Sequence, residues 1–297
     1  MLFIHRSRLC VKFSTFIQKT INNSFNCNTQ SISLYTTAEA ELLTALGLSD
    51  YQPSAENVQV KSLKDSFLSS GRLDAEFYQQ HYYDAEESIK QHGFSLIKDI
   101  CSDINYGTVP TSPYTKNETG IPYIKGLNLK GSEIVTHKLD RLINTEDLPE
   151  KFFGKKGDIV ISQMGTVGNT GVITENEIGW LFASFTIRIR IKDQKQFNPY
   201  FLALYIEKVA KPYYLYRYIA QASVRQNTDL PTIKNMYVPN LSFETQTKIS
   251  NGIQQSFKLK TQSKQLLHIA KTGVEKAIEE SEAAAMAWME AEIGKLQ

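Results

Sequence analysis

Residues 213–249 read YYLYRYIAQASVRQNTDLPTIKNMYVPNLSFETQTKI and join two different sequence patterns. The stretch begins aromatic and basic, continues as a polar loop, and then has a short apolar run between Pro231 and Pro239. After Asn240 the apolar residues follow helical spacing. The stretch therefore predicts a junction between a globular domain and a long helix. Because proline cannot donate to a sheet, the two prolines also predict a short edge strand over Thr232–Val238.

The C-terminal segment from Glu244 to Gln297 predicts a long amphipathic helix, since its apolar residues recur at steps of four, three and seven. A lone helix cannot bury such a stripe, so a partner is needed. The N-terminal segment Phe13–Leu46 has the same periodicity, with an interruption expected around Asn26–Gln30 and an end at Gly47. Its helix and a second copy of the chain are the two candidate partners. The residues expected on the pairing face are Ile17, Ile21, Leu42, Leu43, Leu46, Ile249, Ile253, Phe257, Leu266, Leu267 and Val274.

Between the long helices, short apolar runs separated by Gly, Pro, Asn and Asp are typical of strands and turns. A helix is expected from Arg72 to Gly93 and another over Asn198–Lys208, with Asn198 as N-cap and Pro199 at its first position. The sequence thus predicts an α+β fold, in which one mixed, strand-rich domain is flanked by long amphipathic helices that pair as an antiparallel coiled coil. The expected strands are Tyr123–Ile124, Asp158–Ser162, Thr170–Thr174 and Phe185–Ile191. The expected boundaries are 1–48 for the N-terminal helical segment, 49–62 for a linker, 63–240 for the strand-rich domain and 241–297 for the C-terminal helix.

Composition limits the class of protein. The 297 residues are 41% hydrophobic, enough for a sizeable core, and contain no run of about 18 apolar residues that would predict a membrane span. The three cysteines, Cys10, Cys27 and Cys101, form no C-x-x-C pair, so we expect free thiols in a reducing cytoplasm. The net charge is +2, but residues 201–238 carry five basic and two acidic side chains. Such a basic stretch fits a polyanion partner and also fits ordinary solvated surface.

A search for catalytic motifs finds none. Gly165, Gly168 and Gly171 match neither the dinucleotide fingerprint nor the phosphate loop, and a turn between two strands explains them. Asn198-Pro199-Tyr200 resembles the loop with which adenine methyltransferases hold the exocyclic amine, but it lacks the second proline, and helix capping accounts for it. The five histidines show no ligand spacing, so no metal site is expected.

Five stretches follow one another in a characteristic order: AEAELLTALGLSDYQPS at 38–54, RLDAEFY at 72–78, GIPYIKGLNLKG at 120–131, GDIVISQMGTVG at 157–168 and SVRQNTDLPTIKNMYVPNLSFETQTKI at 223–249. Their joint order resembles the specificity subunit of type I restriction-modification systems. The resemblance covers about residues 30–280.

The resemblance implies a subunit that recognises a bipartite sequence in double-stranded DNA and performs no chemistry itself. It implies methylation subunits as partners, which carry S-adenosylmethionine, and a restriction subunit recruited through the complex. The chain departs from the family by having one recognition domain instead of two, so it looks like half a subunit. A homodimer, or pairing with another specificity subunit, would supply the second domain. The alternatives are an interaction module or truncated subunit that does not read DNA, and a stand-alone DNA methyltransferase, for which no cofactor motif is found.

Amide, guanidinium and ammonium groups on loops meet the chemical requirement for reading bases and holding phosphates. The residues expected to contact DNA are Lys125, Asn128, Gln163, Arg217, Gln221, Arg225, Gln226 and Asn227. For each of them a surface polar residue or a turn former is the competing interpretation.

Overall fold

The computed structural model describes residues 2–51, 58–110, 112–145, 148–219 and 227–296, with side chains from Val11 onward. The chain divides into two compact units. The helical unit combines the chain up to Ala38 with the chain from Asn251 onward, and the mixed unit holds Glu39–Ser250. The predicted α+β fold is confirmed.

The helices follow the predicted outline, with long helices near the two chain ends and short ones between them. A π-helix, Ile206–Leu215, runs on directly from one of the short helices. The α-helices are Leu2–Ala45 (α1), Phe67–Ser70 (α2), Gln80–Lys90 (α3), Ile97–Ile100 (α4), Pro199–Tyr205 (α5), Tyr216–Tyr218 (α6), Leu230–Lys234 (α7), Phe243–Glu279 (α8) and Glu282–Gly294 (α9). Short 3₁₀ turns occupy Ala75–Tyr78, Gly126–Asn128, Glu150–Phe152 and Glu175–Glu177.

The strands of the mixed unit are short. They are Phe94–Leu96 (β1), Cys101–Tyr106 (β2), Tyr114–Thr115 (β3), Ile121–Ile124 (β4), Leu129–Lys130 (β5), Glu133–Ile134 (β6), Asp140–Leu142 (β7), Ile159–Ser162 (β8), Thr170–Val172 (β9), Leu181–Phe182 (β10), Thr186–Ile191 (β11) and Tyr237–Pro239 (β12). They pair in the orders β1-β12, β10-β4-β7-β3, β2-β11-β8-β9 and β5-β6.

The antiparallel sheet β2-β11-β8-β9 forms the centre of the mixed unit. Ile159, Ile161, Ile187 and Ile189 on its two central strands are fully buried. The strands expected over 158–162, 170–174 and 185–191 are therefore present with ends that differ by one or two residues.

Local capping signals also hold. The side-chain oxygen of Asn198 accepts a hydrogen bond from the Tyr200 amide at 3.0 Å and begins α5. Gly47 follows α1 with a φ of 68°, a left-handed conformation that suits glycine at a helix end. Capping thus explains the Asn-Pro-Tyr sequence without a catalytic loop.

The prediction of a strand over Thr232–Val238 is wrong for the first half of this range. Asp229 accepts a hydrogen bond from the Thr232 amide at 2.8 Å, and Pro231 lies in the first turn, so α7 begins there. Only Tyr237–Pro239 is a strand, paired with β1. An N-cap followed by proline is a helix-start signal, and it decides the local structure.

The interruption expected around Asn26–Gln30 is also wrong, because α1 continues through it. Polar residues are tolerated there since the helix is held by tertiary contacts with α8 on both sides of that segment. The Ser24 hydroxyl donates to the Ser263 carbonyl at 2.8 Å, and the Ser263 hydroxyl returns a 2.8 Å bond to the Ser24 carbonyl.

A second serine pair repeats this contact one heptad further along. The Ser31 and Ser256 hydroxyls lie 3.1 Å apart, and Ser256 donates to the Ser31 carbonyl at 2.8 Å. The two pairs run in opposite directions along the helices, so the predicted antiparallel pairing within one chain is confirmed. All four serines are buried, and we call this contact line the serine seam.

The serine seam changes the predicted pairing face. Leu42, Leu46, Ile249, Ile253 and Leu266 are buried as expected, although the first three belong to the mixed unit. Ile17, Ile21, Leu43 and Phe257 are partly buried. Leu267 and Val274 are 53% and 40% exposed, so α1 does not cover them, and their pairing with a second copy of the chain stays a prediction. Small serine side chains, which the periodicity did not select, lie on the contact line between α1 and α8.

Helix α9 folds back against α8 in the helical unit. The Ser281 hydroxyl accepts a hydrogen bond from the Ala284 amide at 3.2 Å and starts α9. A Cβ at Gly273 would lie 2.3 Å from the Met289 sulfur, so glycine allows this close approach. Met289 and Ala285 are fully buried.

The serine seam generates a stability prediction. Replacing Ser31 with leucine adds apolar volume but forces the helices apart, so we expect Ser31→Leu to lower the free energy of unfolding by about 1–3 kcal/mol. The adjacent Ile32 is 60% exposed, and Ile32→Ala should change it by less than about 0.5 kcal/mol. Urea unfolding of both variants measures the difference, and a larger loss for Ile32→Ala would contradict the seam.

Candidate nucleic-acid interface

The hairpin turn between β8 and β9 lies at one end of the central sheet. The Gly168 amide donates to the Ser162 carbonyl at 3.0 Å, and the Ser162 amide donates to the Asn169 carbonyl at 2.8 Å. The Ser162 and Thr166 hydroxyls lie 2.9 Å apart across the turn. Gly165 at its tip has a φ of 77° and no other group within 4 Å of its would-be Cβ. The turn is therefore internally braced and open to solvent at its tip.

Gln163 begins this turn and is held from both sides. Its amide donates to the Phe185 carbonyl at 3.0 Å, and its carbonyl accepts from the Thr228 amide at 3.1 Å. Met164 forms an antiparallel bridge with Asn227. The Gln163 side chain is partly exposed and that of Asn227 is exposed. Two residues expected to contact DNA, 64 positions apart in the sequence, thus share one surface.

Lys125 lies beside the same turn. Its neighbour Gly126 packs so closely on Ser162 that a Cβ there would lie 2.6 Å from the Ser162 hydroxyl. The Thr166 hydroxyl also donates to the Gly126 carbonyl at 3.4 Å. The contact brings the Gly126–Asn128 turn against the β8–β9 turn. We use the name sheet-end surface for the described residues Lys125–Leu127, Gln163–Thr166 and Asn227.

The Lys125 ammonium is already paired within the chain. It bonds to Asp140 and lies 4.6 Å from the centre of the Tyr114 ring. Partial burial lowers the pKa of Lys125, but hydrogen bonds to Asp140 and Tyr114 outweigh it and raise the pKa above its usual value. The side chain is about a third exposed and keeps its positive charge at neutral pH.

Asn128 has another role than the one expected from the sequence. It is fully buried. Its side-chain oxygen accepts from the Lys125 amide at 3.0 Å, and its NH₂ group donates to the carbonyls of Val135 and His137 at 3.0 and 3.2 Å. The amide holds a loop together, and in this structure it is not available to DNA.

Arg217 is likewise structural. It is 7% exposed, and its Nε donates to the Phe77 carbonyl at 3.1 Å. Nη1 bonds to Glu86 at 3.0 Å, and the guanidinium lies 4.2 Å from the Tyr83 ring centre. The same cluster contains Tyr218, whose ring meets Phe77 edge to face at 5.4 Å. The Tyr218 ring thus packs within the chain.

Gln221, Arg225 and Gln226 lie outside the described residues. Their expected DNA contacts stay predictions. The described chain resumes at Asn227, next to Met164 on the sheet-end surface.

Two exposed apolar residues, one within the sheet-end surface and one beside it, were not expected from the sequence. Leu127 and Phe185 are 55% and 57% exposed. Apolar residues beside a predicted strand are normally assigned to the core, so their types alone carry no signal of exposure. Their positions at a 3₁₀ turn and at the end of β11 become visible only once the sheet register is known.

The sheet-end surface offers amide, ammonium and hydroxyl groups for hydrogen bonding. Within the described ranges, no group of three or more His, Cys, Asp or Glu side chains could hold a metal ion. Among the described helices, none is both long enough and apolar enough for a bilayer span. Amide, ammonium and hydroxyl groups carried by fixed turns are suited to binding a polar, anionic partner.

Comparisons with known proteins give a family and a set of solved structures. A family model described as the type I restriction modification DNA specificity domain matches residues 92–268. No curated protein matches the chain.

Three solved structures are similar to the chain. The HsdS subunit from Thermoanaerobacter tengcongensis is 18% identical, with 98% of this chain and 57% of that chain covered and a TM-score of 0.43. The type I restriction-modification S subunit from M. genitalium is 15% identical, with 97% and 59% covered and a TM-score of 0.47. A structure that concerns complex assembly and conformational transition of the type I R-M system is 15% identical. The match covers 97% of this chain and 58% of that chain, with a TM-score of 0.43. The chain spans less than two thirds of each of these solved chains.

The burial of Arg217 generates a prediction that separates a structural from a ligand-binding role. Arg217→Lys keeps the charge but loses the Nε bond and the planar contact with Tyr83, so unfolding free energy should fall by about 1–3 kcal/mol. Arg72→Lys is the matched control, because its ion pair with Asp74 is partly exposed and should matter by less than about 1 kcal/mol. Equal urea midpoints for Arg217→Lys and the unmodified chain would contradict the structural role.

Proposed function

Because the chain belongs to the type I restriction modification DNA specificity domain family, we propose that it reads double-stranded DNA through the sheet-end surface and performs no chemistry itself. The observation that carries this proposal is the convergence of Lys125, Gln163 and Asn227 from three separate segments on one surface. Family membership supports DNA as the ligand class, and the geometry supports this surface as the proposed place of contact.

The proposed division of roles follows from side-chain chemistry. A glutamine or asparagine amide can form two hydrogen bonds with adenine in the major groove. Gln163 suits this role because its backbone is bonded on both sides, which lowers the entropy lost on binding. Lys125 is assigned to a phosphate, where its contact would position the duplex without reading sequence. Arg225, Gln226 and Gln221 remain proposed contacts in the segment that precedes Asn227.

We further propose that methylation subunits carrying S-adenosylmethionine are its partners in the cytoplasm, and that a restriction subunit joins through that complex. The chain would direct these partners to one half of a bipartite site. If the isolated chain bound S-adenosylmethionine, the alternative of a stand-alone methyltransferase would replace this proposal.

A second candidate function, an interaction module that does not read DNA, is favoured by an exposed apolar segment of the mixed unit. Large side chains that are more than two fifths exposed follow one another there: Val58, Val60, Leu63, Phe67, Leu68 and Leu73. Such a patch suits a protein partner better than DNA. One chain could perform both functions on different surfaces. Selection of a DNA motif from a random duplex pool tests whether the chain reads DNA at all.

The test of DNA reading is selection from a random duplex pool by the full chain, alone and with its methylation subunit. We expect enrichment of one motif, and we expect Gln163→Ala to relax the preference at one base pair by about 1–3 kcal/mol. Gln265→Ala is the control, since Gln265 is an exposed glutamine of α8. If about six phosphates are contacted, affinity should fall about a thousandfold between roughly 50 and 200 mM salt. No enriched motif, or a flat salt dependence, would leave the interaction module as the function.

The second half-site requires a second recognition domain, so we propose a homodimer or pairing with another specificity subunit. Because the serine seam is filled within one chain, the contact would use an outer surface of the chain. Light scattering of the purified chain at micromolar concentration tests the homodimer, for which twice the 33.7 kDa chain mass is expected. A monomeric mass would favour pairing with a different specificity subunit.

A further inference from the structure

Phe185 is a large apolar residue held in an exposed position by a tight turn. The Thr186 amide donates to the Ala183 carbonyl at 2.9 Å, and the Thr186 hydroxyl donates to the same carbonyl at 2.7 Å. Thr108 bridges Ala183 on the other side. The turn is thus bonded on two sides, yet Phe185 at its outer corner is 57% exposed.

Phe185 lies directly beside Gln163. The β11–β8 ladder pairs Thr186 with Ser162, and the bond from the Gln163 amide to the Phe185 carbonyl extends it by one position. Opposite residues of antiparallel strands have their Cβ atoms roughly 5 Å apart on the same face. Phe185 is a turn residue just before β11, and this one backbone bond sets it opposite Gln163, so a phenyl group and a partly exposed amide are neighbours in the backbone at the end of the sheet.

A single exposed phenylalanine is common on protein surfaces and needs no special explanation. Three observations distinguish this one: hydrogen bonds fix its turn, its neighbour Gln163 carries an amide, and it lies beside the sheet-end surface to which Gln163 belongs. The turn keeps the ring exposed to water, so a ligand that covers the ring buries apolar surface, and this burial favours binding. On the DNA-reading proposal, the ligand at this place is a base edge.

We propose that Phe185 contacts the 5-methyl group of a thymine in the major groove, next to the base pair that Gln163 reads. The inference rests on the proposed function. The methyl group is the largest apolar group that the major-groove edge of a base pair presents, and it is absent from the minor groove. A rigid phenyl ring beside an amide matches an edge on which this methyl group adjoins hydrogen-bonding atoms.

The experiment replaces thymine with uracil, which keeps base pairing and removes only the methyl group. Duplexes with the motif selected by the full chain would carry uracil at one thymine position at a time. For the unmodified chain we expect one position to weaken binding by about fourfold, the worth of one buried methyl group. For Phe185→Ala we expect the thymine and uracil duplexes to bind equally, because the contacting ring is gone.

Two controls keep the outcome interpretable. Phe185→Leu keeps an apolar side chain and should retain part of the uracil penalty. Phe67→Ala removes an exposed phenylalanine of α2 and should leave the penalty unchanged. Circular dichroism and urea unfolding establish that each variant is folded.

The outcomes separate the two proposals. A uracil penalty that persists in folded Phe185→Ala, or no penalty at any thymine position, would overturn the Phe185 contact while DNA reading stands. A selected motif without thymine would overturn it as well. If the chain selects no motif, the proposed function fails and the Phe185 contact fails with it.

Discussion

Arg188 carries a full charge at a position that is 0% exposed, and the central sheet is arranged around it. Taking an ion out of water costs several kcal/mol unless neighbours replace the lost hydration. Here Nη2 lies 2.5 Å from Asp103, 2.6 Å from the Asn105 side chain and 3.0 Å from the Lys151 carbonyl. Two residues along β11, Arg190 binds Asp158 with both Nε and Nη2, and these hydrogen bonds raise the pKa of Arg190. Charge thus fixes β11 against β2 on one side and against the start of β8 on the other.

These ion pairs also determine the geometry at the far end of the sheet. A slip of one residue would turn Arg188 to the isoleucine face of β11 and bring an isoleucine among carboxylates, so the register is strongly specified. The same register pairs Thr186 with Ser162 and thereby places Phe185 next to Gln163. A surface built from turns, which are usually the most variable part of a fold, thus depends on buried charges in the middle of two strands.

Short-range sequence patterns predicted most of the fold. They did not predict the roles of residues whose partners are distant in the sequence. The apolar runs of β8 and β11 and the cap of α5 are decided within a few residues, and all three appear where the pattern places them. Asn128 and Arg217 have the same functional groups whether they bind DNA or the chain's own carbonyls, and only burial separates the two roles. Burial depends on partners up to 140 positions away in the sequence, such as Phe77 for Arg217. Rules based on the spacing of nearby residues cannot predict such contacts.

The serine seam is another contact between distant residues that the sequence pattern did not predict. It also bears on how the helices could pair with another chain. Periodicity counts large apolar residues, whereas the contact line between α1 and α8 is built from small side chains whose hydroxyls bond to the opposite backbone. Each such bond needs a close approach of the two helices and also satisfies a buried polar group, so the seam specifies alignment more than it adds apolar burial. The seam is complete within one chain. On the proposal that a second specificity subunit pairs with this chain, that subunit would bind a surface other than the seam, and the separation of the two half-sites would depend on that other contact.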